Sequence, residues 1–207
     1  MARYVKAAIA ALPALAILSG AAEAGPVHAD VFTFQQPNGS PAARNVVGKG
    51  KLNRMQSGVL LQIRTTDLNP GHAYTVWWVI FNNPAACAPV GCSAADLGNP
   101  AVLGSVMNAT GGVARANGGA RFSAFLPVGF IHTNPTDEAA NGAFNRQVFG
   151  PGLQNLDGAE IHAVIKSHGP SNNTVKQIST IAGFCLNAAP AQPCYDPQAV
   201  VFTVPGN

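Results

Sequence analysis

The stretch that decides the fold is Ala73–Phe81, which reads AYTVWWVIF and holds both tryptophans of the chain. Successive side chains of a β-strand point to opposite faces of the sheet. One face of this stretch would hold Tyr74, Val76, Trp78 and Ile80, and the other Ala73, Thr75, Trp77, Val79 and Phe81. Neither face carries a charged side chain, which is typical of a strand covered on both sides. Turn signals at 69–71 and 82–84 bound the stretch, so we predict a central strand.

Short alternating stretches elsewhere predict further strands, at 30–34, 46–52, 58–66, 101–107, 113–116, 120–126, 159–167, 175–184 and 198–204. Strands of this length, separated by Gly, Asn and Pro, indicate an all-β domain. We predict an antiparallel β-sandwich of about eight strands, with a closed β-barrel as the alternative. The turn at 67–72 predicts a hairpin between the strand at 58–66 and the central strand.

The first 24 residues have the features of a secretory signal peptide. Arg3 and Lys6 give a basic start, Ala7–Leu18 is a short apolar run, and Ala22–Ala24 is a small-x-small cleavage site. This combination is typical of export and is too short for a membrane anchor. We therefore expect residues 25–207 to form a single domain in the periplasm or outside the cell.

Charged residues are sparse, at 10% of the chain with a formal net charge of +3. The densest basic stretch in the sequence is only Lys49–Lys51. Binding of nucleic acid requires a concentrated basic face, so we expect no nucleic-acid partner. No apolar run after the signal peptide is long enough for a transmembrane helix, so we expect no membrane-spanning segment in the mature chain.

Four cysteines lie in the predicted mature chain, at Cys87, Cys92, Cys185 and Cys194. An even number of cysteines in an exported protein indicates disulfides, and three connectivities are possible. We favour Cys87–Cys92 and Cys185–Cys194, because each pair brackets a short loop that contains proline. The competing interpretation is a four-cysteine zinc site, which the spacing and the export signal disfavour.

A weak constellation of possible metal ligands surrounds Glu160, His162 and His168. Glu160 and His162 would share one face of a strand, and His72 could approach them from the central strand. Carboxylate and imidazole together suit Zn²⁺ or Cu²⁺. The alternative is a solvated strand face on which Glu160 pairs with Lys166 or an arginine. We expect no cofactor, with Zn²⁺ or Cu²⁺ as the alternative, because no metal or catalytic motif supports the constellation.

The aromatic residues Tyr74, Trp77 and Trp78 offer a second kind of site. They could form a platform for a sugar or an apolar ligand, although core packing is the favoured interpretation. The segment Pro127–Asp157 is long and irregular yet apolar, and long loops of this kind are often functional. We expect this segment to fold across the outer face of the central strand, which would leave a groove between the two.

Two longer stretches carry a family resemblance: YTVWWVIFNNPAAC at 74–87 and AEIHAVIKSHGP at 159–170. Together with the cysteine pair before the last strand, they resemble a family of exported β-rich proteins of bacteria and archaea. No activity is established for that family, so the resemblance implies export and a β-rich fold but no site. We therefore expect a binding or structural domain without catalysis. The metal site and the ligand groove remain as the two alternatives.

Overall fold

The computed structural model of the chain describes residues 25–130, 150–178 and 194–204. Within these ranges eight strands form one antiparallel sheet. The strands are β1 (Val27–Thr33), β2 (Val46–Met55), β3 (Gly58–Thr65), β4 (His72–Phe81), β5 (Gly104–Val113), β6 (Ala120–Pro127), β7 (Glu160–Pro170) and β8 (Tyr195–Phe202). A one-turn helix, α1 (Thr174–Ile178), and two 3₁₀ turns, Pro84–Ala86 and Ala94–Gly98, complete the regular structure of these ranges.

The sheet curls until its two edge strands meet. Its strand order is β5-β4-β7-β8-β1-β2-β3-β6, and the edge strands β5 and β6 lie against each other. Arg115 N–H donates to the Gly119 carbonyl in the turn that joins them. The predicted all-β antiparallel fold of about eight strands is confirmed, and its single curled sheet has the nearly closed form of the barrel alternative.

Alternation along each strand separates an interior from an exterior. One continuous cluster of buried side chains fills the interior, and it includes Leu52, Leu61, Ile63, Tyr74, Val76, Trp78, Ile80, Phe122, Leu126, Ile161, Ile165, Val200 and Phe202. Trp78 belongs to this cluster and is 1% exposed, whereas Trp77 points outward and is still only 2% exposed. The prediction of a central strand covered on both sides is therefore confirmed.

The predicted hairpin between the third strand and the central strand is wrong. Strand β3 pairs with β2 and β6, and β4 pairs with β5 and β7. The connection between β3 and β4 instead passes over the β5–β6 turn, where Leu68 N–H donates to the Gly118 carbonyl at 3.1 Å. A turn signal is local, but a strand has only two edges, and both edges of β3 are occupied by other partners.

Three further strand predictions are corrected. Residues 104–107 and Val113 of the separate strands predicted at 101–107 and 113–116 belong to one strand, β5, whereas residues 101–103 and 114–116 are not strand. Residues 175–178 of the strand predicted at 175–184 are helical. Gly111 in β5 is needed for close packing. A Cβ atom at this position would lie 2.6 Å from Cβ of Ile178 in α1 and 2.8 Å from the Tyr74 carbonyl oxygen.

Part of the segment predicted to cover the central strand closes one end of the barrel instead. Leu153 is fully buried and belongs to the interior cluster. The Asn82 side chain at the end of β4 donates to the Gly152 carbonyl at 2.8 Å. Residues 150–157 therefore lie across the barrel end, and residues 131–149 of the same predicted segment lie outside the described residues.

Candidate binding groove on the outer face of the sheet

A groove of about 600 Å³ runs along the outside of the barrel, over β1, β4, β7 and β8. The floor of the groove consists of rows of residues that lie directly opposite one another on neighbouring strands. Trp77 lies opposite Val164, Val164 opposite Ala199, and Ala199 opposite Phe32. Directly opposed residues of neighbouring strands have Cβ atoms about 5 Å apart, so the floor of this outer groove is a continuous apolar surface.

One wall of the outer groove is the segment Cys92–Leu97. A disulfide joins Cys87 to Cys92, as the sequence predicted. The Asp96 carboxylate accepts hydrogen bonds from the Ser93 N–H and the Ser93 hydroxyl, each at 2.8 Å, and from Ala88 N–H at 3.1 Å. The hydrogen bond from the Ser93 hydroxyl, followed by that from Ala88 N–H, lowers the pKa of Asp96 below its ordinary value. The wall is thus held in place covalently and by hydrogen bonds.

The opposite wall is the loop that follows β1. Phe34 is 40% exposed on this side of the groove. The Arg44 guanidinium lies 3.6 Å from the centre of the Phe32 ring, in a cation–π contact. Asp196 N–H donates to Gln35 Oε1 at 2.9 Å, which ties the loop to β8. This wall is therefore connected directly to β8, one of the strands that form the floor.

Two pairs of contacting side chains supply the polar groups at the groove. His162 Nε2 lies 2.7 Å from Glu160 Oε1, and Lys166 Nζ lies 2.6 Å from Asp196 Oδ1. The His162 ring also packs on Phe81, with ring centres 4.9 Å apart. His162 and Lys166 are four residues apart on β7, or about 13 Å, so apolar floor separates the two polar points.

The structure brings together two of the four metal-ligand candidates. Glu160 and His162 are in contact, but His168 lies six residues farther along β7, about 20 Å away along the strand. His168 is buried, with Nε2 2.9 Å from Thr75 Oγ1 and Nδ1 3.4 Å from Cys194 Sγ. His72 lies opposite Pro170 at the far end of β7. Among the described residues, no group of three or more His, Cys, Asp or Glu side chains is arranged to hold a metal ion.

The three aromatic candidates divide between the interior and the groove. Tyr74 and Trp78 are in the interior cluster, so core packing is their role. Trp77 lines the outer groove. Sequence reasoning missed Phe32 and Phe34 as groove residues, although their alternation in DVFTF places both on one face of β1 and its extension.

The second favoured disulfide involves Cys185, which lies outside the described residues. No helix within the described ranges is long and apolar enough to cross a membrane. No protein-family model matches the chain, and no curated protein is significantly similar to it.

Proposed function

We propose that the chain is an exported, non-catalytic binding domain that holds a small apolar molecule in the outer groove. The observation that carries the proposal is the continuous apolar floor between two anchored walls. Small-molecule sites have volumes of about 300–1,000 Å³ and are mostly apolar with a few polar groups. The volume of about 600 Å³ falls within that range.

The polar groups favour a ligand that is largely uncharged. Lys166 and His162 each already have a carboxylate partner, at 2.6 and 2.7 Å. A charged ligand group would have to break one of these pairs, whereas a hydroxyl or amide could add a hydrogen bond to it. The ligand we expect is therefore an apolar body with at most one or two neutral polar groups.

Export is supported by two features of the chain. The first is the predicted signal peptide at residues 1–24. The second is the Cys87–Cys92 disulfide, because disulfides persist in oxidising compartments such as the periplasm and the extracellular space. Secretion of the full chain with loss of residues 1–24, measured by N-terminal sequencing, is the expected outcome.

Binding can be tested with the neutral fluorescent probe N-phenyl-1-naphthylamine. Trp77 forms part of the groove floor, so we expect saturable energy transfer from tryptophan to the probe at one site per chain. Val164→Phe would fill the centre of the floor and should weaken binding at least tenfold. Val113→Phe is the matched control, since Val113 is an exposed strand valine outside the groove.

The two variants separate specific from general binding. Unchanged affinity in Val113→Phe together with weakened affinity in Val164→Phe supports the groove. Equal binding by both variants, or a signal that does not saturate, would contradict the proposal. Circular dichroism of Val164→Phe confirms that the variant is folded before its affinity is compared.

A further inference from the structure

Four cations share one outer face of the barrel, on strands β2, β3 and β6. Lys49 lies directly opposite Arg64, and Arg64 lies directly opposite Arg121. Lys51 is on the same face of β2, two residues from Lys49. We call these four residues the basic face. Neighbouring members of the Lys49–Arg64–Arg121 row have Cβ atoms about 5 Å apart, so three positive charges stand side by side.

Only one member of the basic face has an acidic partner in the described part of the chain. Lys49 forms an ion pair with Asp30 on β1. No carboxylate of the described residues lies within ion-pair distance of Lys51, Arg64 or Arg121. Like charges directly opposite each other destabilise a sheet. This arrangement therefore costs stability in the free protein, and an anion bound across the row would relieve the repulsion.

A second row of polar side chains lies beside the cations. His28 is opposite Lys51, Lys51 is opposite Gln62, and Gln62 is opposite Ser123. The two rows line a shallow depression of about 510 Å³. The row of charges thus adjoins a row that combines Lys51 with the amide of Gln62 and the hydroxyl of Ser123, and both rows are open to solvent.

We propose that the basic face binds an acidic polysaccharide. Guanidinium groups bind carboxylate or sulfate with two parallel hydrogen bonds, and the amide and hydroxyl of the second row suit the hydroxyl groups of a sugar. Cations spaced about 5 Å across the strands and about 7 Å along them can meet several charges of one flexible chain. This site is independent of the outer groove and shares no lining residue with it.

The composition of the face favours a polysaccharide over other polyanions. Single-stranded nucleic acid is bound by exposed aromatic rings on which its bases stack, and neither row contributes a Phe, Tyr or Trp side chain on the outer face. An anionic membrane surface would favour protruding apolar side chains among the cations. The exposed Phe125 lies one row beyond the second row, opposite Leu60, and not among the cations.

The test measures binding of the full mature chain to polygalacturonate and to dextran sulfate, with neutral dextran as the control polymer. The double variant Arg64→Gln/Arg121→Gln should weaken binding about tenfold or more. Arg115→Gln is the matched control, because Arg115 is an exposed arginine outside the depression. We expect Arg115→Gln to bind as the wild type does, and neutral dextran not to bind.

Thermal unfolding provides a second readout. Because removal of opposed like charges relieves repulsion, the double variant should keep or raise the melting temperature while it loses affinity. Wild-type affinity in the double variant would overturn the proposal. Equal loss in Arg115→Gln, or tighter binding of poly(dT) or of phosphatidylglycerol vesicles than of both polysaccharides at the same ionic strength, would also overturn it.

Discussion

The indole nitrogen Nε1 of Trp77 donates a hydrogen bond to Oγ1 of Thr75 at 2.8 Å, within strand β4. The same hydroxyl lies 2.9 Å from Nε2 of the buried His168 on β7. Buried polar groups are costly unless they are hydrogen-bonded. Thr75, Trp77 and His168 thus meet one another's hydrogen-bonding needs. The outer face of β4 can therefore be buried although it carries a hydroxyl group and an indole N–H.

Replacement of Thr75 by valine should destabilise the fold by about 2–4 kcal/mol. Valine has nearly the same shape but no hydroxyl, so the Trp77 N–H and His168 Nε2 both lose this bond, at roughly 1–3 kcal/mol for each buried group. The measurement is urea unfolding followed by tryptophan fluorescence. Thr203→Val is the control at an exposed position and should change stability by less than about 0.5 kcal/mol. Similar stability of the two variants would show that the buried hydroxyl contributes nothing.

The Arg54 side chain stabilises the turn that enters β7. Arg54 is 5% exposed, and its guanidinium donates to the Leu156 carbonyl and, at 2.7 Å, to the Ala159 carbonyl. Burial lowers the pKa of Arg54, and the nearby Asp157 partly opposes that shift. Because one buried and one partly buried carbonyl would lose a charged donor, we expect Arg54→Met to cost about 2–4 kcal/mol. Arg64→Met, at an exposed position, should leave the unfolding midpoint nearly unchanged, and an equal loss in both would contradict this role.

The Asn82 side chain holds the barrel end together through four hydrogen bonds. Its amide nitrogen donates to the carbonyls of Leu103 and Gly152, each at 2.8 Å. Its oxygen accepts from the N–H groups of Gln154 and Asn155 at 2.7 and 3.2 Å. Both ends of the amide are therefore used, one as a donor and one as an acceptor.

Replacement of Asn82 by aspartate should therefore destabilise the fold strongly, although the two side chains have nearly the same size and shape. A carboxylate in this position would face two carbonyl oxygens without a proton to donate, so we expect a loss of at least about 3 kcal/mol. Asn83→Asp introduces the same charge at the neighbouring exposed residue and should cost less than about 1 kcal/mol. The measurement is the melting temperature of both variants in thermal unfolding. Equal melting temperatures would show that the Asn82 amide does not stabilise the barrel end.

Alkaline pH should destabilise the protein through its buried phenols. Burial raises the pKa of Tyr74 to about 12, and burial also raises the pKa of Tyr195. The folded-state pKa lies above the unfolded value of about 10, so folding favours the protonated phenol. This contribution is fully present below pH 10 and is lost as the pH rises from about 10 through 12.

The phenolate absorbance at 295 nm measures this effect directly. In the folded protein it should rise at distinctly higher pH than in the urea-unfolded chain. Tyr74→Phe should flatten the loss of stability between pH 10 and 12, although it also removes the acceptor for Asn69 N–H. Superimposable titrations of the folded and unfolded chains would show that neither phenol is perturbed.

Several features of this protein follow from local sequence alone. Alternation of apolar residues predicted the positions of β3, β4 and β6 and divided the side chains of β4 between two faces, because the side-chain period of a strand is a property of its backbone. The Cys87–Cys92 pairing also followed from short separation in the chain. The all-β class followed from many short apolar stretches separated by Gly, Asn and Pro.

Strand pairing, and therefore both candidate sites, was decided by the tertiary structure. The sequence shows Lys49–Lys51, Arg64 and Arg121 as scattered cations, and only the register of β2, β3 and β6 places them side by side. Phe32 and Trp77 likewise reach one groove because β7 and β8 lie between their strands. Which strand pairs with which depends on hydrogen bonds and packing among all eight strands at once, so no local pattern contains it.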